Sequence, residues 1–196
     1  MDEALISLLR ELEQFNIETD ARVTDRSKRM LNIAPDTGPF LVLLIRALKA
    51  KRILEIGTSN GYSTLWLAYA AQLHGGNVTT VEISSYKAEM ARQNFRQANL
   101  HSFIDLKLID AGEFLKQEAD GSYDFIFLDS YRLEYPVWWS DLHRVLSPGG
   151  LLVSDNASTH EHEMAGFVRI VERTHGCISS LVPVGHGQLV ILKQSE

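Results

Sequence analysis

The stretch IFLDSYRLEY, from Ile126 to Tyr135, is an apolar run that stops at Asp129 and meets Arg132 one turn later. A carboxylate ending a buried strand is placed for ligand or metal chemistry, whereas a guanidinium with a pKa above ~12 supplies charge and cannot serve as a base near neutrality. A second group of residues lies earlier in the chain. Ile53-Leu54-Glu55-Ile56-Gly57 reads as a strand, and Thr58-Ser59-Asn60-Gly61-Tyr62-Ser63 turns from it into a helix whose first amides are free donors. Glycines at both ends of the turn suggest tight backbone geometry and close ligand approach, with any side chain there expected to fill the ligand's space. Their spacing, Gly-x-x-x-Gly, departs from the Gly-x-Gly-x-x-Gly of dinucleotide sites and favours a ligand without a pyrophosphate. Glu82 ends the next strand, where a carboxylate accepts from ribose hydroxyls or, more simply, caps the following helix. Asp110-Ala111 ends a third strand, either with an amide for an adenine edge or as a plain helix start.

These residues need elements to hold them. From Arg52 onward RILEI, NVTTVEI, FIDLKLI, YDFIFLD and GGLLVSD alternate with helical stretches Tyr62 to Leu73, Ser85 to Ala98, Gly112 to Lys116 and Leu133 to Val145. Nearly continuous apolar strands separated by helices predict a parallel sheet covered on both faces. After a helix from Glu161 to Thr174, CISSLVPV and QLVILKQ flank Gly185-His186-Gly187, predicting a hairpin that adds an antiparallel strand at the sheet edge. Ahead of the sheet, Leu5, Leu8, Leu9, Leu12 and Phe15 keep helical spacing, and Phe40 to Leu48 form a second apolar helix after Pro35 and Pro39. The expected organisation is one domain over 1–196, with 1–50 as a helical cover at one mouth of the sheet and 51–196 as the sheet core.

The 196 residues are 45% hydrophobic and carry a net charge of −6, so a full core is available and no electrostatic footprint for nucleic acid or an anionic membrane is evident. A small-molecule partner is expected. Cys177 is alone, the start MDEALISLLR lacks the regions of a signal peptide, and the longest apolar stretch, Pro39 to Ile45, falls short of the ~18 residues of a membrane span. A cytoplasmic location is the expectation.

LEIGTSNGYS, the TVE ending in Glu82, IDAGEFL, FLDSYR and PGGLLVSDN together resemble the ordered motifs of S-adenosylmethionine-dependent O-methyltransferases of the catechol and caffeoyl-CoA type. The resemblance runs from about Leu31 to Lys193, including LNIAPDTGPFL and PVGHGQLVILK. It implies an α/β fold: a doubly wound, Rossmann-like, seven-stranded sheet, mostly parallel, with the last strand antiparallel and helices on both faces. It further implies that Gly57 and Gly61 approach the methionine portion of the cofactor, Ser63 binds its carboxylate, Glu82 holds the ribose, the Ala111 amide reads adenine, and Asp129 lies near the amino group; Asn32 and Glu55 complete the cofactor residues. Tyr131 is expected to flank adenine, and a homodimer is usual in the branches it resembles.

In such a topology the fourth and fifth strands are neighbours, which brings Asp129 beside Asp155-Asn156. Two carboxylates and an amide suit Mg2+ or Ca2+, and the family's metal triad matches all three positions; alternatively Asp155 and Asn156 serve only as turn and cap residues. Many family members carry a lysine base where this chain has Arg132, so the metal alone acidifies the acceptor or another group takes the proton, with His160 and Glu134 nearest in sequence. The run His160-Glu161-His162-Glu163 reads as a solvated helix start rather than a metal cluster, and His143 as a surface or packing residue. Trp138 and Trp139 either shape an acceptor pocket or pack on the sheet. ASTHEHE lacks the tryptophan common in relatives, which leaves the phenolic acceptor pocket open. The competing readings are a cofactor-binding protein with altered catalysis and an NAD-dependent oxidoreductase, the latter disfavoured by the glycine spacing.

Overall fold

The seven strands follow the apolar runs closely in the computed structural model, which describes residues 1–25 and 28–195. In chain order the elements are α1 (Glu3–Arg22), α2 (Thr37–Leu48), β1 (Arg52–Ile56), α3 (Tyr62–Gln72), β2 (Asn77–Glu82), α4 (Ser85–Gln97), β3 (Ile104–Leu108), α5 (Ala111–Gln117), β4 (Tyr123–Leu128), α6 (Tyr135–Val145), β5 (Leu146–Ser154), α7 (Glu161–Arg173), β6 (Cys177–Val182) and β7 (Gln188–Lys193). The sheet order is β3-β2-β1-β4-β5-β7-β6. Strands β1 to β5 are parallel, and β7 is antiparallel to both β5 and β6.

The hairpin differs in one respect from its expected place. Its antiparallel strand β7 lies inside the sheet, and β6 forms the edge. The residues account for this: QLVILK buries Gln188, Leu189 and Ile191, whereas CISSLV carries Ser179 and Ser180 and leaves Ile178 and Leu181 exposed, as an edge strand tolerates.

One face of the sheet is covered by α1, α2 and α3, whose Leu5, Leu8, Leu9, Leu12, Leu41, Ile45 and Leu65 join Ile53, Phe125 and Phe127. The other carries α5, α6 and α7, where Leu115, Tyr135, Leu142 and Phe167 pack on Leu54, Ile126 and Leu152. Helix α1 starts at an Asp2 cap that accepts from the Leu5 amide. The predicted stripe ends before Phe15, which is 40% exposed because the second half of α1 turns polar side chains, Asn16 and Asp20, toward residues 30–32 instead. The helical cover therefore spans a face, and the second half of α1 links it to residues 30–32 at the mouth.

The chain leaves β1 outward through β2 to β3, then returns to place β4 on β1's other side. That reversal opens a crevice above the carboxyl ends of β1 and β4, the position at which doubly wound sheets bind ligands. Among the described residues no helix is long and apolar enough to cross a membrane.

Candidate active site

A cleft of about 1130 Å³ opens at this reversal and is lined from residues 29–33, Gly57–Asn60, Tyr62, Ser63, Glu82, Ala111, Asp129–Arg132, Asn156, His160 and His186, with Gly61 of the turn set behind the lining. It has room for a nucleoside-sized cofactor and a small acceptor together.

The glycine turn has its conformation for reasons internal to the protein. Gly57 and Gly61 have φ of 105° and 87°. A Cβ on Gly57 would overlap the Asp129 backbone carbonyl, and one on Gly61 would come to 2.5 Å from the Phe95 ring. Both side chains would collide with neighbouring elements, not with the space for a ligand, which corrects the expectation from sequence. Helix α3 follows an N-cap, Gly61, that has no side chain to cap it, and its first amide, that of Tyr62, donates to Asn60 Oδ1 at 3.2 Å.

Glu82 sits where a cap and a ligand residue would both sit, and it is tied to the turn. Its carboxylate accepts from the amides of Ser59 at 2.8 Å, Ile83 at 3.0 Å and Ser84 at 2.8 Å. The helix cap is Ser84, whose hydroxyl accepts from the Lys87 amide. Glu82 is thus fixed in the lining with lone pairs remaining for hydroxyl donors.

Glu55 is placed differently from the other expected cofactor residues. It has no exposed surface and lies beneath the lining, where its carboxylate accepts from Ser63 at 2.6 Å, Thr64 at 2.5 Å and Thr80 at 2.5 Å. Burial pushes its pKa up to about 7 against the opposition of these three hydroxyls. Its reach into the cleft is through Ser63, which does line it. Asn32 lines the cleft too, held by its amide to Asn16 and by its side chain to the Leu12 carbonyl.

At the other end Asp129, Asp155 and Asn156 are brought together as the strand order predicts. The Asn156 side-chain amide donates to Asp155 at 3.0 Å and to Asp129 at 3.3 Å. Asp155 is 1% exposed, and its second oxygen accepts from the buried Gln188 amide. Burial raises Asp129 well above the ordinary carboxylate value, and the charges of Asp155 and Glu55 push the same way while Arg132 and Lys87 oppose them. Burial likewise raises Asp155. A half-buried and a buried carboxylate therefore repel across a point filled by an amide N–H2, a repulsion that protonation or a bound cation would relieve. Among the described residues no group of three or more His, Cys, Asp or Glu is placed to hold a metal ion. The donor set here is two carboxylates and an amide, all hard ligands, and it fits Mg2+ or Ca2+.

Arg132 is not a surface residue. It is 7% exposed on a 3-10 turn, Arg132–Glu134, and its Nε donates to Glu163 of α7 at 2.8 Å. The His160–Glu163 run is consequently more than a solvated helix start: Glu163 neutralises Arg132, and His160 enters the cleft lining with Nδ1 against Thr159 Oγ1 at 3.1 Å. Glu134 lines the cleft rim. His143 packs at a tilt against Trp139, 5.5 Å between centroids, and has its pKa lowered by burial, in keeping with a packing role. The two tryptophans divide the alternatives between them. Trp138 lines the cleft near Gly112, while Trp139 donates to Thr174 and packs edge-on against Phe167. Tyr131 is 61% exposed in the lining.

Several lining or supporting residues gave no sequence signal. Lys87, His186, Gln188 and the Tyr62–Glu13 hydrogen bond at 2.5 Å join positions far apart in the chain. Only the Gly-His-Gly setting of His186 marked a turn that could place a side chain.

A doubly wound sheet whose first turn is glycine-bounded and whose second strand ends in a fixed acid defines a nucleoside-cofactor fold of the Rossmann-like class. Residues 6–170 match the family described as O-methyltransferase, and the chain belongs to that family. It is 36% identical over 129 residues to a catechol O-methyltransferase of Niastella koreensis, covering 64% of this chain and 58% of that protein. With a catechol O-methyltransferase of Mycobacterium tuberculosis it is 34% identical over 124 residues, 63% of this chain and 56% of the relative. The matched stretch thus spans less than two thirds of either relative. Among solved structures, an O-methyltransferase from Bacillus cereus in complex with SAH superposes with a TM-score of 0.80 at 26% identity, covering 96% of this chain and 91% of that one.

Proposed function

We propose that this protein transfers the methyl group of S-adenosylmethionine to a hydroxyl of a small catechol-like or phenolic molecule, assisted by a divalent cation. The observation that carries the reading is the pairing, in one cleft, of the Glu82-clamped glycine turn with the Asp129, Asp155 and Asn156 cluster. The turn and Glu82 fit a nucleoside with free ribose hydroxyls, Ser63 at the start of α3 fits the cofactor's carboxylate, and Ala111 and Trp138, which line the same cleft, fit the adenine end. Asp129, Asp155 and Asn156 would hold the cation, with Asn156 presenting its amide oxygen, and the cation would acidify the acceptor hydroxyl and orient it. Arg132 adds positive charge behind Asp129. The acceptor is the small-molecule partner, and a homodimer is the assembly that the resemblance to this family implies.

A second reading, a cofactor-binding protein with altered catalysis, draws on Arg132 being neutralised by Glu163. One set of measurements separates the readings. Calorimetry with S-adenosylhomocysteine and with NAD should give binding for the first and none for the second; the reverse would end the methyltransferase reading. A screen of catechols and phenols with Mg2+ should then yield methylated product, and cofactor binding with no turnover of any hydroxyl acceptor would favour the second reading.

A further inference from the structure

The cleft contains several groups that can accept a proton, and most are already engaged. Glu82 is held by three backbone amides, Asp110 caps α5 through the Glu113 amide, and Asp129 shares a hydrogen-bonded cluster with Asp155 and Asn156. His160 has Nδ1 on Thr159, and Arg132 has no lone pair to offer. Glu134 is exposed on the rim, and a carboxylate is a weaker acceptor near neutrality than an imidazole.

His186 differs from all of these. It stands at the tip of the β6–β7 hairpin, and the tip is fixed from two sides. Its carbonyl accepts from the amides of Ser158 at 3.1 Å and Thr159 at 3.3 Å, and the neighbouring Gly187 carbonyl accepts from Ala157 at 2.9 Å. On the opposite side the Gly185 amide donates to Asp36 at 3.0 Å. The loop that carries Asn156 and the loop that carries His186 are therefore bonded into one unit, and His186 lines the same cleft as Asp129, Asn156 and Arg132. No hydrogen bond to its imidazole is found among the described residues. The charged and titratable groups around it are Asp36 ahead of α2, Asp129 after β4, Asp155 after β5, His160 ahead of α7, and the Arg132–Glu163 pair.

We propose that His186 is the catalytic residue that takes the acceptor's proton, a role that rests on the methyl-transfer reading above. The acceptor O–H bond breaks and its proton passes to an imidazole nitrogen of His186. The oxygen's electron pair forms the new O–CH3 bond as the C–S bond breaks, and that pair remains on sulfur, so the sulfonium becomes a neutral thioether. The imidazolium then returns its proton to water, which the exposed hairpin tip admits.

The test compares wild type with His186→Ala and His186→Gln in single-turnover methyl transfer to catechol with Mg2+, from mildly acidic to alkaline pH, alongside calorimetry with S-adenosylhomocysteine. Loss of a general base lowers the rate by roughly 10²-fold or more at neutral pH. The deficit should shrink as pH rises and the acceptor ionises unaided, added imidazole should restore part of the His186→Ala rate, and S-adenosylhomocysteine affinity should stay at the wild-type value. An unchanged rate and pH profile would overturn the assignment. So would a loss that is the same at every pH and indifferent to imidazole, because that marks a structural role. Failure of the underlying reading is distinguishable, since wild type itself would then bind S-adenosylhomocysteine and transfer no methyl group.

Discussion

Glu55 is a carboxyl group without contact with water, and its three hydroxyl partners only partly offset the burial that raises its pKa to about 7 from an ordinary 4.5. The folded protein holds a proton there that the unfolded chain has released, so the contribution to stability is complete below pH 4.5 and is lost as pH rises to 7. Glu55→Gln cannot titrate. Urea unfolding should therefore show the variant gaining on wild type by on the order of 2–3 kcal/mol between those limits, and a constant difference across the range would refute the buried-carboxyl account. Glu82 makes the opposite kind of site, fixed but open to the cleft. Glu82→Ala should weaken S-adenosylhomocysteine binding by about 1.5–3 kcal/mol, the range for hydrogen bonds to a charged group, measured by calorimetry. Arg132→Met removes a positive charge that lowers both raised aspartates, together with the Arg132 partner of Glu163. It should lower the transfer rate more than it weakens S-adenosylhomocysteine binding, whereas Arg132→Lys keeps the charge and most of the rate; equal losses of rate and binding in Arg132→Met would assign this arginine to structure alone. Asp129, Asp155 and Asn156 were legible as a cluster because strand ends bring them together. The ion pair that neutralises Arg132 was not, because Glu163 lies on another helix and nothing in the run HEHE distinguishes it from a solvent-facing residue.

The strands and helices were readable because apolar runs and helical spacing decide them locally, and the boundaries shifted by only a few residues. Position within the sheet was less readable. The hairpin's order depends on which of two short strands buries more, and that is settled against β5 rather than within the hairpin. Helix α1 was legible as an apolar stripe, yet its polar half carries the link to the cleft. Asp20 accepts from the Met30 and Leu31 amides at 2.8 and 2.9 Å, and Asn16 accepts from the Asn32 amide. Leu31 is thereby held at φ 52°, and Ser59 of the glycine turn bonds the Met30 carbonyl at 2.7 Å. Asp20→Ala frees two amides beside the cofactor space. Hydrogen exchange at Met30 and Leu31 should rise, and S-adenosylhomocysteine affinity should fall several-fold, or about 1 kcal/mol, with little change in the melting temperature of the whole protein. Unaltered exchange at both amides would show that α1 does not hold this segment.

At the scale of the molecule, the reversal of strand order between β1 and β4 decides everything above it. It places the turn after β1, the acid after β2 and the carboxylates after β4 and β5 around one crevice, while two separate apolar clusters hold the faces. Spacing in the chain announced this arrangement, since each of those residues ends a strand; the groups brought in from hairpin and helix tips, His186 foremost, become visible only when the chain closes. The central claim is that the two ends of this crevice work together, one on the cofactor and one on a cation-held hydroxyl. It is tested most directly by transfer of a labelled methyl group from S-adenosylmethionine to catechol, with Mg2+ and with chelator, in wild type and Asp155→Ala. The account predicts labelled product from wild type only with the cation and a loss of at least ~10²-fold in Asp155→Ala, the scale expected when electrostatic stabilisation of a reacting oxygen is removed. Full transfer in chelator, with Asp155→Ala as active as wild type, would contradict it.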